Sequence, residues 1–202
     1  KLGLLLISDR WGGAEEVVYQ LIEPFMKENI EVVLFVNDEM FQYYSNNKKL
    51  AIHKLGSYTE KNIFLKFFSI IKIRNNLKKL LGKQGLDLIH TNLGTSIIIY
   101  GNISNKIKTP YLITLHGSEI LTVCNRNNPY KYLVSILLKH SFKKSGLITS
   151  PSKWQIKSLQ KAYKSKTRII PNGIDTKRFR PLKTKEEKEV ILFAGQFVKM
   201  KG

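Results

Sequence analysis

The sequence predicts an α/β fold, a doubly wound parallel sheet with helices on both faces in three layers, α/β/α. Short apolar runs at 2–8, 30–36 and 111–115 lack polar alternation, as parallel strands covered on both faces require. Between such runs, apolar residues return at i, i+3 and i+4, the period of amphipathic helices. The two patterns alternate along the chain, and alternating strands and helices close into a parallel sheet through right-handed crossovers.

Composition sets the frame. With 202 residues, 43% of them hydrophobic and 24% charged, the chain is long enough for one to two globular domains and too apolar to be disordered throughout. Lys and Arg number 34 against 15 acids, a net charge of +19, so the surface field favours anionic partners. A solvated lysine-rich surface accounts for that charge as readily as a specific anionic site does. Cys124 is the single cysteine, which removes any intrachain disulfide and fits a reducing, cytoplasmic setting. The opening apolar run closes at Ser8-Asp9-Arg10, too soon for a signal peptide or a membrane span.

The first strand, 2–8, turns through Asp9-Arg10-Trp11-Gly12-Gly13 into a helix at 14–28, and Asn29 stops it before a second strand at 30–36. Unpaired N–H groups at that helix start suit a phosphate or sugar hydroxyl, and Gly12 and Gly13 permit close approach. A dinucleotide G-x-G-x-x-G is absent and Glu15 and Glu16 oppose an anion, so NAD is not expected; a simple tight turn is the other reading. A short helix at 39–47 and a strand at 50–55 follow. Residues 61–81 form a long helix rich in Phe and Ile, interrupted by lysines through 83. That composition suits a helix lying in an anionic membrane interface, or a core helix with a solvated basic face.

The next strand is 85–90, with Gly85 as the preceding helix's stop and 91–94 as a loop. A helix at 95–105 and a strand at 111–115 lead to His116-Gly117-Ser118-Glu119. Ligands of doubly wound sheets bind beyond the carboxyl ends of strands, where His90 and His116 both fall. A histidine alone at a strand end is commonly structural, and His90 stays in that class. Helices at 129–142 and 153–163 flank a strand at 147–149, with Ser150 or Ser152 as the cap. The strand at 167–170 ends in Pro171-Asn172-Gly173, a rigid turn. The organisation expected is a domain at 1–170, a linker at 171–189 and the start of a second domain at 190–202, entered by the apolar run 190–194.

Pro171-Asn172-Gly173-Ile174-Asp175, followed by Phe179-Arg180-Pro181, resembles the interdomain passage of family 4 (group 1) retaining glycosyltransferases. The resemblance implies a GT-B fold, with 1–170 as its Rossmann-like N-terminal, acceptor-side domain. Gly12-Gly13-Ala14-Glu15 resembles the family's glycine-rich loop, which faces the donor phosphates and the acceptor. His116-Gly117-Ser118-Glu119 resembles the signature whose His contacts the donor sugar, which makes His116 the catalytic candidate. Gly12, Gly13, Gly117, Ser118 and Asn172 are then the substrate-binding candidates. Gly195 to Gly202 resembles the family's Gly-Arg-x-x-x-x-Lys-Gly: Lys201 matches, whereas Gln196 replaces the Arg and brings no charge to the donor diphosphate. The family's Glu-x7-Glu segment is not present, so this chain alone is expected to be inactive.

The implied partners are a nucleotide-sugar donor, which is a substrate rather than a cofactor, and a glycan or lipid-linked acceptor. Membrane contact through 61–83 would place the protein at the inner membrane face. No metal is expected, since no Asp-x-Asp or His-rich ligand set occurs. A non-enzymatic basic module for nucleic acid or an anionic membrane surface is the competing reading. Nucleic acid is not expected as a partner, because no binding motif or aromatic-basic interleaving appears. A sugar-nucleotide epimerase would need other carboxylate and His positions.

Overall fold

The computed structural model describes residues 1–58, 62–124 and 128–180. One compact unit comprises Lys1–Asn172, and a second begins at Gly173. The first unit is built on a seven-stranded sheet in the order β3-β2-β1-β4-β5-β6-β7, with every pairing parallel. Its strands are β1 (Leu2–Leu6), β2 (Val32–Val36), β3 (Ala51–Lys54), β4 (Leu88–Asn92), β5 (Tyr111–Thr114), β6 (Leu147–Ser150) and β7 (Thr167–Ile169). The helices are α1 (Gly13–Lys27), α2 (Asp38–Tyr44), α3 (Ile63–Leu81), α4 (Gly94–Ile107), α5 (Ser118–Cys124), α6 (Pro129–Lys144) and α7 (Lys153–Tyr163).

Strand order reverses between β1 and β4, and that switch sorts the helices into two layers. Val18 and Ile22 of α1 and Met40 and Tyr44 of α2 pack on Leu2, Leu4 and Leu6. The opposite layer packs Ile73, Leu77 and Leu81 of α3 and Tyr100 of α4 on Leu5, Ile113 and Ile148, together with Leu138 and Phe142 of α6. Central strands β1 and β2 are buried along their whole length, which is why they carry no polar alternation. The α4–α6 contact is closer still: a Cβ added to Gly101 would stand 2.9 Å from the Cα of Ser141 and nearer to its side chain.

The doubly wound sheet expected from the sequence is the one observed, with differences at element ends. Asn29 does take a left-handed φ of 60° after α1. Gly85 is not the stop of α3. The helix ends at Leu81 with Gly82 as its C-cap in right-handed geometry, and Gly85 turns the following loop at φ 54°. Ser152 occupies the N-cap position of α7 but makes no side-chain cap bond. Ser150 Oγ instead accepts from the Ser152 N–H at 3.2 Å and donates to Gln155 Oε1 at 2.6 Å. Helix α5 has no counterpart in the sequence reading, and β4 runs two residues past His90, to Asn92. The expected strand at 190–194 and the linker beyond 180 lie outside the described residues.

Candidate functional site

The carboxyl edge of the sheet beside the β1/β4 switch is where the chemistry-bearing residues converge. Beyond β1 the chain stays extended because its backbone is claimed from two sides. Ile7 N–H donates to Ser96 Oγ at 2.9 Å, and Ser8 exchanges bonds with the Asn37 amide at 3.1 and 2.7 Å. Asn37 and Ser96 are fully buried, so the path into Trp11-Gly12-Gly13 is fixed by the core. Gly12 is the N-cap of α1 and Gly13 its first residue. Trp11 beside them meets Tyr43 in a tilted contact at 4.5 Å and Tyr44 and Tyr19 at 5.7 and 6.0 Å, an aromatic wall next to the glycine turn.

Across β4 lies the second loop. His116 follows β5, and its ring Nε2 lies 3.1 Å from Asn92 Oδ1 at the end of β4. With Asn92 Oδ1 as its partner, which can only accept, Nε2 carries the ring proton in this arrangement and Nδ1 is the ring's acceptor. The loop itself is pinned by Glu119, whose Oε2 accepts from the N–H groups of His116 and Gly117 at 3.2 and 3.1 Å. Gly117 has φ 127°, a conformation suited to glycine, and a Cβ there would approach Gln155 Nε2 to 3.3 Å. Two buried polar atoms here, Asn92 Nδ2 and Glu119 Oε1, have no hydrogen-bond partner among the described residues.

Electrostatics follow from burial. Desolvation lowers the His116 pKa to about 4, so the ring is neutral at physiological pH. His90, on the same face of β4 as Asn92, is also lowered to about 4, by desolvation first and by His116 second. His90 Nε2 lies 2.7 Å from Thr114 Oγ1, which lies 2.7 Å from Thr149 Oγ1, a polar ladder across β4, β5 and β6. Burial raises the Glu119 pKa, opposed by the backbone N–H bonds its carboxylate accepts. A neutral imidazole with a fixed acceptor nitrogen suits a sugar hydroxyl rather than a phosphate.

Of the expected site residues, His116, Gly117 and Ser118 are contiguous in the β5–α5 loop, and Gly12-Gly13 lies across β4 from them at the same edge. Asn172 follows β7, which is two strands from β5 on the side away from β1. Gln196 and Lys201 lie outside the described residues. Asn92, Glu119 and Gln155 were not among the sequence candidates. Period-two alternation from His90 would have put Asn92 on the same face, had the strand been read through to residue 92. Among the described residues no group of three or more His, Cys, Asp or Glu could hold a metal ion.

The Glycosyltransferase Family 4 model matches residues 11–178. An uncharacterized glycosyltransferase of Methanocaldococcus jannaschii is 28% identical over 192 residues, 95% of this chain and 50% of its own. The fold is similar to sucrose-phosphate synthase from Thermosynechococcus elongatus, with TM-score 0.68 and 20% identity over 90% of this chain and 50% of that one. It is also similar to Anabaena HepE, solved with UDP and glucose, at TM-score 0.64 and 14% identity over 91% of this chain and 47% of that one. The 202 residues thus span about half the length of these relatives. The architecture is that of an N-terminal domain of GT-B glycosyltransferases, and the chain belongs to Glycosyltransferase Family 4.

Proposed function

We propose that the protein transfers a sugar from a nucleotide-sugar donor to a glycan or lipid-linked acceptor with retention of anomeric configuration, this chain supplying the acceptor-side domain. The observation that carries the reading is the neutral His116, held by Asn92 at the switch-point edge. There it would take a hydrogen bond from a donor-sugar hydroxyl beside the reacting carbon and fix the sugar's orientation, a positioning contribution. Binding of UDP and UDP-glucose by Anabaena HepE supports a nucleotide-sugar as the donor.

In the reaction the bond from the anomeric carbon to the diphosphate breaks and a bond to the acceptor oxygen forms. The acceptor's proton leaves with the departing nucleoside diphosphate. By the resemblance in sequence, Lys201, with Gln196 in place of an arginine, would bind that diphosphate, and Gly12-Gly13 would serve as the glycine-rich loop for substrate. The donor is a substrate, and the reading includes no metal or cofactor. Because the chain spans about half of its relatives, the 202 residues by themselves give little or no turnover. The protein works in the cytoplasm, peripheral to the inner membrane face; among the described residues no helix is long and apolar enough to cross a membrane.

The test is a panel of nucleotide-sugars offered to the complete protein, with nucleoside diphosphate release followed and the product's anomeric configuration read by NMR. Release with a retained product is expected. An inverted product, or no turnover with any donor, would sink the proposal.

A further inference from the structure

Trp11 joins a four-ring cluster at the shoulder between α1 and α2. Its ring centre lies 4.5 Å from that of Tyr43, 5.7 Å from Tyr44 and 6.0 Å from Tyr19, and Tyr19 lies 5.6 Å from Tyr44. Tyr44 is buried and its hydroxyl donates to the Glu15 carbonyl at 3.3 Å, so core packing accounts for it. Packing does not account for Tyr19 and Tyr43, which stay 44% and 42% exposed around a half-buried indole. Adjoining exposed rings of this kind mark a binding surface, whereas single exposed apolar residues do not. Among the described residues none hydrogen-bonds to the Tyr19 or Tyr43 hydroxyl or to the Trp11 indole N–H, which leaves these groups for the polar atoms of a ligand.

The surface is built in advance. Ser8 exchanges bonds with the side chain of Asn37, the N-cap of α2, and its Oγ donates to the Arg10 carbonyl at 2.9 Å. One buried amide thus ties the loop that carries Trp11 to the helix that carries Tyr43, and the Tyr44 hydroxyl ties that helix to α1. A ligand here has little protein left to order when it binds. The neighbours also set its charge. Residues 8–20 and 37–45 hold Asp9, Glu15, Glu16, Asp38 and Glu39 against Arg10 alone, in a chain of net charge +19. A locally negative field turns away phosphates and anionic lipid headgroups and leaves the rings to a neutral ligand.

We propose that Trp11, Tyr19 and Tyr43 form an outer acceptor subsite that holds a neutral pyranose ring of an oligosaccharide acceptor. One face of a pyranose presents C–H groups, whose partial positive charge meets the negative face of an aromatic ring. Its rim presents hydroxyls, which pair with the tyrosine hydroxyls and the indole N–H. The cluster belongs to the β1 and β2 side of the switch, whereas His116 stands beyond β4, so the ring held is one remote from the transferred sugar. The inference deepens the transferase reading, on which its purpose rests: it makes the acceptor a chain of neutral sugars rather than a bare lipid phosphate.

The test is calorimetric titration of the 202-residue chain, without any sugar donor, with cellotriose, maltotriose and triacetylchitotriose, and with glucose 1-phosphate as the anionic comparison. Saturable binding of at least one trisaccharide, tighter than that of the sugar phosphate, is expected. Trp11 and Trp154 are the two tryptophans, so in a Trp154→Phe background the bound trisaccharide must change the Trp11 fluorescence. The double variant Tyr19→Ser with Tyr43→Ser, which leaves Tyr44 and the indole in place, loses at least about tenfold in affinity. Trp11→Ala loses as much and Trp11→Phe regains part of it, with melting curves confirming that each variant is folded. Failure of all three trisaccharides to bind, tighter binding of glucose 1-phosphate, or unchanged affinity in the double variant overturns the proposal. So does self-association that the double variant abolishes in the absence of sugar binding, which assigns the rings to a second copy of the chain. Since no donor is present, any of these outcomes leaves the sugar-transfer reading intact, and failure of the donor panel leaves the binding result standing.

Discussion

Lowering the pH should destabilise the fold through His90. Its pKa falls from 6.5 in the open chain to about 4 in the fold, because burial leaves the imidazolium without solvent and His116 stands nearby. Between those values the unfolded state binds more protons, so stability is full above pH 6.5 and is lost as pH falls toward 4. Linkage over this window gives about 2 kcal/mol lost by pH 5 and about 3 kcal/mol by pH 4 for His90. Those amounts are a large part of a typical domain's ~5–15 kcal/mol. His116 adds a loss of the same sign from the same desolvation. Glu119 acts in the opposite direction: its raised pKa means that acid neutralises a buried carboxylate and stabilises the fold. Comparing wild type with His90→Gln, which keeps a hydrogen-bonding group toward Thr114, cancels both of those contributions. Urea unfolding at pH 7 and pH 5 reads the difference. With a slope of ~2 kcal/mol per molar, the wild-type midpoint should fall by about 1 M more than that of the variant. Parallel losses in the two proteins, or a His90 resonance titrating near 6.5, would refute the reasoning.

Asn92→Ala should release the His116 ring and lower turnover of the complete protein by about tenfold or more, more in kcat than in KM, with the Nε2–H tautomer signal lost from nitrogen NMR. An unchanged kcat with a preserved tautomer would show that Asn92 does not position the ring. Gly117→Ala should cost about 1–3 kcal/mol from its φ of 127° and lower the melting temperature by a few degrees, bending the loop that carries His116; no loss would mean the loop relaxes freely. Gly101→Ala should cost at least about 1–3 kcal/mol, because the new methyl overlaps Ser141 and forces α4 and α6 apart. A melting temperature equal to wild type would contradict that packing.

The doubly wound sheet was readable because its signals are local and redundant. The buried run of β2 and the stop at Asn29 each mark the chain independently, and alternation with helices leaves few topologies. Readings failed where tertiary context outweighs local pattern. Helix α5 is short and its Glu119 is almost fully buried, so neither length nor apolar period announces it. Strand β4 looked finished at His90 because Thr91 and Asn92 are polar, yet both are buried and paired in the sheet. That truncation concealed Asn92, the residue holding His116. The apolar and basic residues of α3 were visible, but nothing in their spacing told that the first turns would stay exposed while Ile73 and Leu77 went inside. His116 itself was legible from its place after a strand and before a glycine, whereas its neutrality depends on burial and its tautomer on a partner from another strand.

The central claim is that His116 faces the sugar of a nucleotide-sugar donor, and single-turnover transfer by the complete protein tests it most directly. His116→Ala should stay folded and lower the rate of sugar transfer by about a hundredfold, as loss of a positioning contact at the reacting centre requires. Transfer at the wild-type rate by a folded His116→Ala protein would contradict the account.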